Sequence, residues 1–281
     1  MSITIPRYAP LGVSVLRYDG EKSLVEIPEA EAIDRITVEI WFYAERLEGK
    51  QSLFADDGES GAGSFRIGLN GSNLELTVDG GSPTTLTFTE TFTPGTWYYV
   101  AITMDGAAAT LYVNAAVPGE TKPLATSKPF IVGPALLGAW KETRSCATIT
   151  NYFRGSLGYV RIWQGIIRQE DLSRLNYFDF SGNFTIRTAE GTVVARLRHN
   201  WRANEGYGDH AYDYSGTSNG RLGNGSQKSQ PQWYISTLPQ EPIFISTDPT
   251  ANAIAKQTSS VPPSRYRHSN QQQAVPSEKQ A

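Results

Sequence analysis

Ile36-Thr37-Val38-Glu39-Ile40-Trp41-Phe42-Tyr43 is the stretch that decides the fold class. Ile36, Val38, Ile40 and Phe42 alternate with Thr37, Glu39, Trp41 and Tyr43. Successive side chains of an extended chain point to opposite faces, so this period of two marks a two-faced strand. The alternation recurs at residues 65–69, 74–78, 97–103 and 111–113. Between the runs stand Asp57-Gly58, Asn70-Gly71, Asp79-Gly80-Gly81, Pro94-Gly95 and Asp105-Gly106. These are turn signals, because glycine tolerates positive φ and proline presets a turn's first bend. Repeated strands without long amphipathic helices between them predict antiparallel sheets packed as a sandwich. One short helix is expected, at 168–175, acidic at its start.

Composition points the same way. The 281 residues include 26 glycines and 16 prolines, and 39% are hydrophobic against 19% charged. A formal net charge of −3 argues against a nucleic acid or an acidic membrane held by bulk charge. The single cysteine, Cys146, excludes an internal disulfide framework and a thiolate metal cage. The first residues lack the charged-then-apolar run of a secretory signal. No apolar run approaches the ~20 residues that span a bilayer. The reading is a chain made in the cytoplasm without membrane insertion, with display on a virion or a secreted particle left to another route.

Charge and composition change near residue 248. The last 34 residues hold four basic and two acidic side chains, four prolines, five glutamines, five serines and one aromatic, Tyr266. Such a segment buries too little apolar surface to offset its ordering entropy. It reads as a disordered polar tail or a docking arm.

Further residues carry a resemblance. Tyr18-Asp19-Gly20, Leu24-Val25-Glu26-Ile27-Pro28 and the Ile36–Phe42 strand with its central tryptophan are similar to the opening of LamG-like domains. Pro94-Gly95-Thr96-Trp97-Tyr98-Tyr99-Val100, Met104-Asp105-Gly106 and Leu111-Tyr112-Val113-Asn114 continue it. The run from Phe153 to Trp163, then Glu170-Asp171-Leu172, closes it. The resemblance is to the laminin G-like members of the concanavalin A-like lectin/glucanase superfamily. It implies an all-β, antiparallel jelly-roll β-sandwich with one short helix. Lys22-Ser23 and Gly158 stand where the family often has acidic residues, which weakens any transfer of its calcium site. A leader-like set, Trp201-Arg202-Ala203-Asn204-Glu205-Gly206, Asp213–Gly220 and Pro231-Gln232-Trp233, follows the module instead of preceding it. The expected organisation is a LamG-like jelly roll at 1–178, a leader-like segment at 179–247 completing the same sandwich, and the tail at 248–281.

The residues show no catalytic apparatus. Glycosidases of this fold need paired carboxylates close together on one strand face, and Glu39 stands alone among apolar neighbours. Glu29, Glu31 and Asp34 read as solvated loop charge. His199, His210 and His268 lack metal-ligand spacing and read as surface histidines. Asp213, Ser215 and Asn219 place three oxygen-bearing side chains within seven residues, a pattern that could suit Ca2+ but is better read as an Asx turn capped by Asp213. No cofactor is required.

Trp41, Trp97 and Trp163 read as core. Trp140 differs, because it falls in a stretch with Lys141 and Arg144, and Tyr152 is close. An aromatic with hydrogen-bonding neighbours on a loop of a rigid scaffold is where sugar contacts are expected. The functional expectation is a non-enzymatic module that binds a glycan or a protein surface through rim loops. The alternative is a structural or decorating subunit of a larger particle, such as a phage or an injection apparatus, or a homo-oligomer. A glycoside hydrolase comes last.

Overall fold

The strand read first, Ile36–Ala44, lies in the middle of the larger sheet. The computed structural model describes residues 14–28, 31–56, 63–115, 119–143, 146–175, 184–216, 218–223 and 226–235, all within the unit Met1–Pro242. Arg144, His268 and the tail at 248–281 lie outside the described residues.

The larger sheet runs Glu120–Pro123, Ala108–Val113, Trp97–Met104, Ile36–Ala44, Arg154–Gly165, Ser14–Asp19 and Gln232–Ile235. Val193–Trp201 also pairs with Arg154–Gly165, and Thr185–Arg187 pairs outside it. The second sheet runs His210–Ala211, Gly220–Leu222, Val25–Ile27, Ala135–Leu137, Lys50–Asp56, Phe65–Asn70, Asn73–Asp79 and Pro83–Thr91. The pairings are antiparallel. The architecture is the sandwich that the alternation predicts, with one α-helix, Gln169–Leu175, among the described residues. No helix among them is long and apolar enough to cross a membrane.

Ile36, Val38, Ile40 and Phe42 face the second sheet and enter the main core with Ile67, Leu76 and Phe88. Thr37, Glu39 and Trp41, on the opposite face, are buried as well. Their cover comes from Ile167, Leu172, Ile186, Ala195 and Leu197, which pack with Trp41, Trp97, Tyr99, Tyr159 and Trp163 in a second cluster. The three tryptophans expected in the core are therefore buried, but outside the inter-sheet layer. A strand between two covered faces loses water on both sides, which explains why its polar positions are so few.

The segment beyond residue 184 adds strands to both sheets. Val193–Trp201 pairs along the second half of Arg154–Gly165, and Gln232–Ile235 pairs with Ser14–Asp19, where Leu16 opposes Trp233. Gly220–Leu222 extends the other sheet beside Val25–Ile27. The register between Arg154–Gly165 and Val193–Trp201 shifts between Ile162 and Trp163. An extra residue on one strand reverses which face later side chains take. Ala195 and Leu197 accordingly join the outer cluster, while Trp201 enters the inter-sheet core.

Candidate functional site

Trp140 opens a small hairpin, Trp140–Thr143 with Cys146–Thr150. This hairpin covers part of the second sheet's outer face, where Ile149 and Tyr152 pack on Leu24, Leu136 and Ala139. Register decides what lies beneath it. Leu136 opposes Ala55, Ala55 opposes Arg66, Arg66 opposes Thr77, and Thr77 opposes Thr85, so these five form one outward row. Inward, Phe65 and Ile67 fill the core. Arg66 thus rises from the sheet into contact with Trp140.

The Arg66 guanidinium lies 3.6 Å from the centroid of the Trp140 ring. Its Nη2 donates to Thr77 Oγ1 at 3.1 Å, and Thr77 shares a second hydrogen bond with Thr85 Oγ1 at 2.9 Å. Burial lowers the Arg66 pKa, and the charges of Glu75 and Asp56 only partly oppose that. Glu75 is itself engaged, by Lys50 Nζ at 3.3 Å and by the Asn70 amide at 2.8 Å. Between Arg66, Lys50, Ser52 and Asn151 is a niche of about 20 Å³, room for roughly one water-sized group. Gly68, which also lines it, lets the two strands approach closely: a Cβ there would stand 2.5 Å from the Gln51 carbonyl oxygen.

Of the four residues expected to contact a ligand, Trp140, Lys141 and Tyr152 are partly buried. Trp140 and Lys141 share the hairpin's first strand. Tyr152 sits further round the rim, where burial raises the pKa of its hydroxyl and the charge of Asp19 adds to the effect. Arg66 escaped notice in the sequence because a lone arginine in Phe65-Arg66-Ile67 looks like an ordinary solvated strand face.

Asp213, Ser215 and Asn219 form a turn at a different place. Asp213 Oδ1 accepts from the backbone N–H groups of Asn200, Ser215 and Gly216 at 2.9, 3.1 and 3.0 Å. Its Oδ2 lies 2.7 Å from His199 Nδ1, and Asn219 Oδ1 accepts from the Asp213 N–H at 2.9 Å. The hydroxyl of Ser215 has no hydrogen-bond partner among the described residues. Calcium here would have to displace these N–H groups. Among the described residues no group of three or more His, Cys, Asp or Glu side chains is placed to hold a metal ion.

His199 departs from the surface position expected for it. It is buried, stacked on Trp201 at 5.0 Å, and Glu31 Oε2 lies 3.2 Å from its Nε2. Glu31, expected as a solvated loop charge, also pairs with Arg198 at 2.5 Å. The two residues clasp the later segment to the strand Glu31–Ile33.

Glu39 is likewise not alone. Tyr99 Oη and Trp163 Nε1 each donate to its carboxylate at 2.6 Å, and Arg161 Nη1 lies 3.8 Å away. Glu39 and Arg161 are both 0% exposed, so neither meets a ligand.

A laminin G family model, described as the concanavalin A-like lectin/glucanases superfamily, matches residues 19–173. No curated protein sequence matches the chain significantly. Similar solved structures include a provisionally assigned carbohydrate-binding protein from Bacteroides ovatus, with a TM-score of 0.55 and 19% identity. That likeness covers 84% of this chain and 63% of the Bacteroides chain. A heptameric SAP-like pentraxin from Limulus polyphemus gives a TM-score of 0.51 at 14% identity, covering 67% of this chain and 94% of its own. Mouse laminin α1 domains LG4-5 give 0.44 at 13% identity, covering 60% and 46%. At such identities the likeness is one of fold.

Proposed function

The chain belongs to the concanavalin A-like lectin/glucanases superfamily, and we propose that within it this protein is a non-enzymatic module that binds a glycan through the rim surface around Trp140. The observation that carries the reading is the Arg66–Trp140 stack. It fixes a partly buried indole and a guanidinium on a sheet instead of a free loop. Aromatic faces pack on the apolar face of a sugar ring, and the neighbouring polar groups bond its hydroxyls. Here those groups are Lys141, Lys50 and Asn151, and Tyr152 extends the surface. Because the strand beneath is held on both sides, little ordering entropy remains to be lost on binding.

The fate of the carboxylates supports a binding role over hydrolysis. Glu39 is enclosed with Arg161, and Glu31 is engaged by Arg198 and His199. A glycosidase needs an acid and a nucleophile or base facing one bond.

A glycan array with the purified protein, run with and without calcium, tests the proposal. Binding by the wild type that Trp140→Ala abolishes, in a variant with an unchanged circular dichroism spectrum, supports it. Blank arrays together with a large oligomer in light scattering would favour the assembly role instead.

A further inference from the structure

A cleft of about 550 Å³ opens between the turn after Ser14–Asp19 and the 3-10 turn Gln227–Ser229. Its size lies within the range of small-ligand sites, roughly 300–1,000 Å³. Its lining is polar or charged apart from Tyr18, which excludes an apolar occupant.

Two of the acids in that lining are already engaged. Asp19 Oδ1 accepts from the N–H groups of Glu21, Lys22 and Ser23 at 2.9, 3.0 and 2.9 Å. Glu45 lies between Arg17 at 2.7 Å and Arg154 at 3.2 Å. Burial alone would raise the pKa of both carboxyls; the donors outweigh it and hold both below their ordinary values. The cleft is therefore neither a cation cage nor a uniformly cationic trough.

Glu21, Lys22 and Lys228 complete a lining of mixed charge, and beside those charges the cleft offers a neutral wall. The side-chain amides of Gln227, Gln230 and Gln232 line one wall, and none has a hydrogen-bond partner among the described residues. A carboxamide presents a donor and an acceptor side by side, which matches adjacent hydroxyls that each donate and accept. The wall is fixed in place before any ligand arrives. Leu24 N–H donates to Ser229 O at 3.1 Å, Gly223 N–H donates to Leu24 O at 2.8 Å, and Gln232 pairs with Arg17 in the sheet. Residues 227–232 lie outside the matched region, 19–173, so this wall is not part of the shared module.

We infer that the cleft is a second binding site, for a neutral saccharide of about disaccharide size, and that the glutamine wall from outside the family match gives it selectivity. It uses none of the Trp140 surface, so the two sites fail separately.

Saturation-transfer NMR of the full chain with cellobiose, chitobiose, lactose and maltose tests the inference, followed by titration of whichever binds. The Gln227→Ala/Gln232→Ala variant, and Gln230→Ala separately, remove amides from the wall. Thermal melting confirms that each is folded; Gln227 and Gln232 are exposed. Expected is transfer from at least one disaccharide, weakened on the order of tenfold or more by the double variant and retained in Trp140→Ala. Silence from all four sugars, or binding that the folded glutamine variants leave within about threefold of wild type, overturns it.

Discussion

Removing the Glu39 carboxylate is the sharpest test of how the outer face of the larger sheet is held. Glu39→Ala deletes the acceptor for Tyr99 Oη and Trp163 Nε1 and leaves the Arg161 guanidinium without its carboxylate. Breaking one partner of a buried ion pair costs about 3–5 kcal/mol, because the remaining charge stays out of water. Two effects adjust this. The two lost hydrogen bonds push the cost up, each by about 1 kcal/mol. Arg161 keeps the rings of Trp41 and Tyr159, at 4.9 and 5.0 Å, and a desolvated cation–π contact retains up to about 2 kcal/mol. The net remains about 3–5 kcal/mol, or roughly 6–20 °C in melting temperature for a domain of this size. Urea unfolding followed by tryptophan fluorescence measures it directly. The neutral pair Glu39→Leu/Arg161→Met should recover most of the loss, since well-packed apolar replacements of a buried pair are often neutral or stabilising. A loss below about 1 kcal/mol in Glu39→Ala, or a double variant as unstable as the single one, would refute the reasoning. Folded Glu39→Ala should bind glycans as the wild type does.

Other outcomes follow from the same contacts. Burial opposes ionisation of Asp213, but His199 and the N–H groups of Asn200 and Gly216 hold its pKa below the ordinary value. A depressed folded pKa stabilises above the unfolded value, near 3.9, and that stability is lost as pH falls through the folded one. Asp213→Asn should therefore flatten the acid limb of stability against pH, measured by urea midpoints. A fragment of residues 1–174 loses the strands beside Arg154–Gly165, Ser14–Asp19 and Val25–Ile27, and should show no cooperative thermal transition. Truncation after Thr247 removes only one aromatic, Tyr266, and should shift the melting temperature by no more than a few degrees, roughly 1 kcal/mol. A large fall would make the tail part of the fold.

The fold was legible because its signal is local. Ile36, Val38, Ile40 and Phe42 need only their own spacing to declare a core-facing side, and the glycine turns need only their own chemistry. What was illegible depends on partners far away in sequence. Nothing in Ile36–Phe42 announces that Glu39 meets Tyr99, Trp163 and Arg161, because the outer face is covered by Ile167, Leu172, Ala195 and Leu197. A polar residue on an alternating strand reads as solvated until its cover is known. His199 misled for the same reason: a flanking Arg198 suggests surface, whereas the shift in register at Ile162/Trp163 places the imidazole between Asp213 and Glu31.

The candidate sites were less legible still, and the cause lies in register. Trp140 could be singled out from its neighbours, but its meaning comes from Arg66, and that contact exists only because Ala55, Arg66 and Thr77 align across three strands beneath the hairpin. The glutamines at 227, 230 and 232 follow neither a helical nor a strand period. They share a wall because a 3-10 turn leads directly into the strand that pairs with Ser14–Asp19. Motifs of the matched region fix strands, whereas these amides lie beyond it. A close relative that kept the sandwich but changed residues 227–232 should therefore keep its stability and lose its preference among neutral sugars. Exchanging that hexapeptide alone between two such chains, and reading both melting temperature and disaccharide ranking, separates scaffold from specificity. If the ranking stays with the sandwich and not with the exchanged segment, selectivity resides elsewhere on the rim.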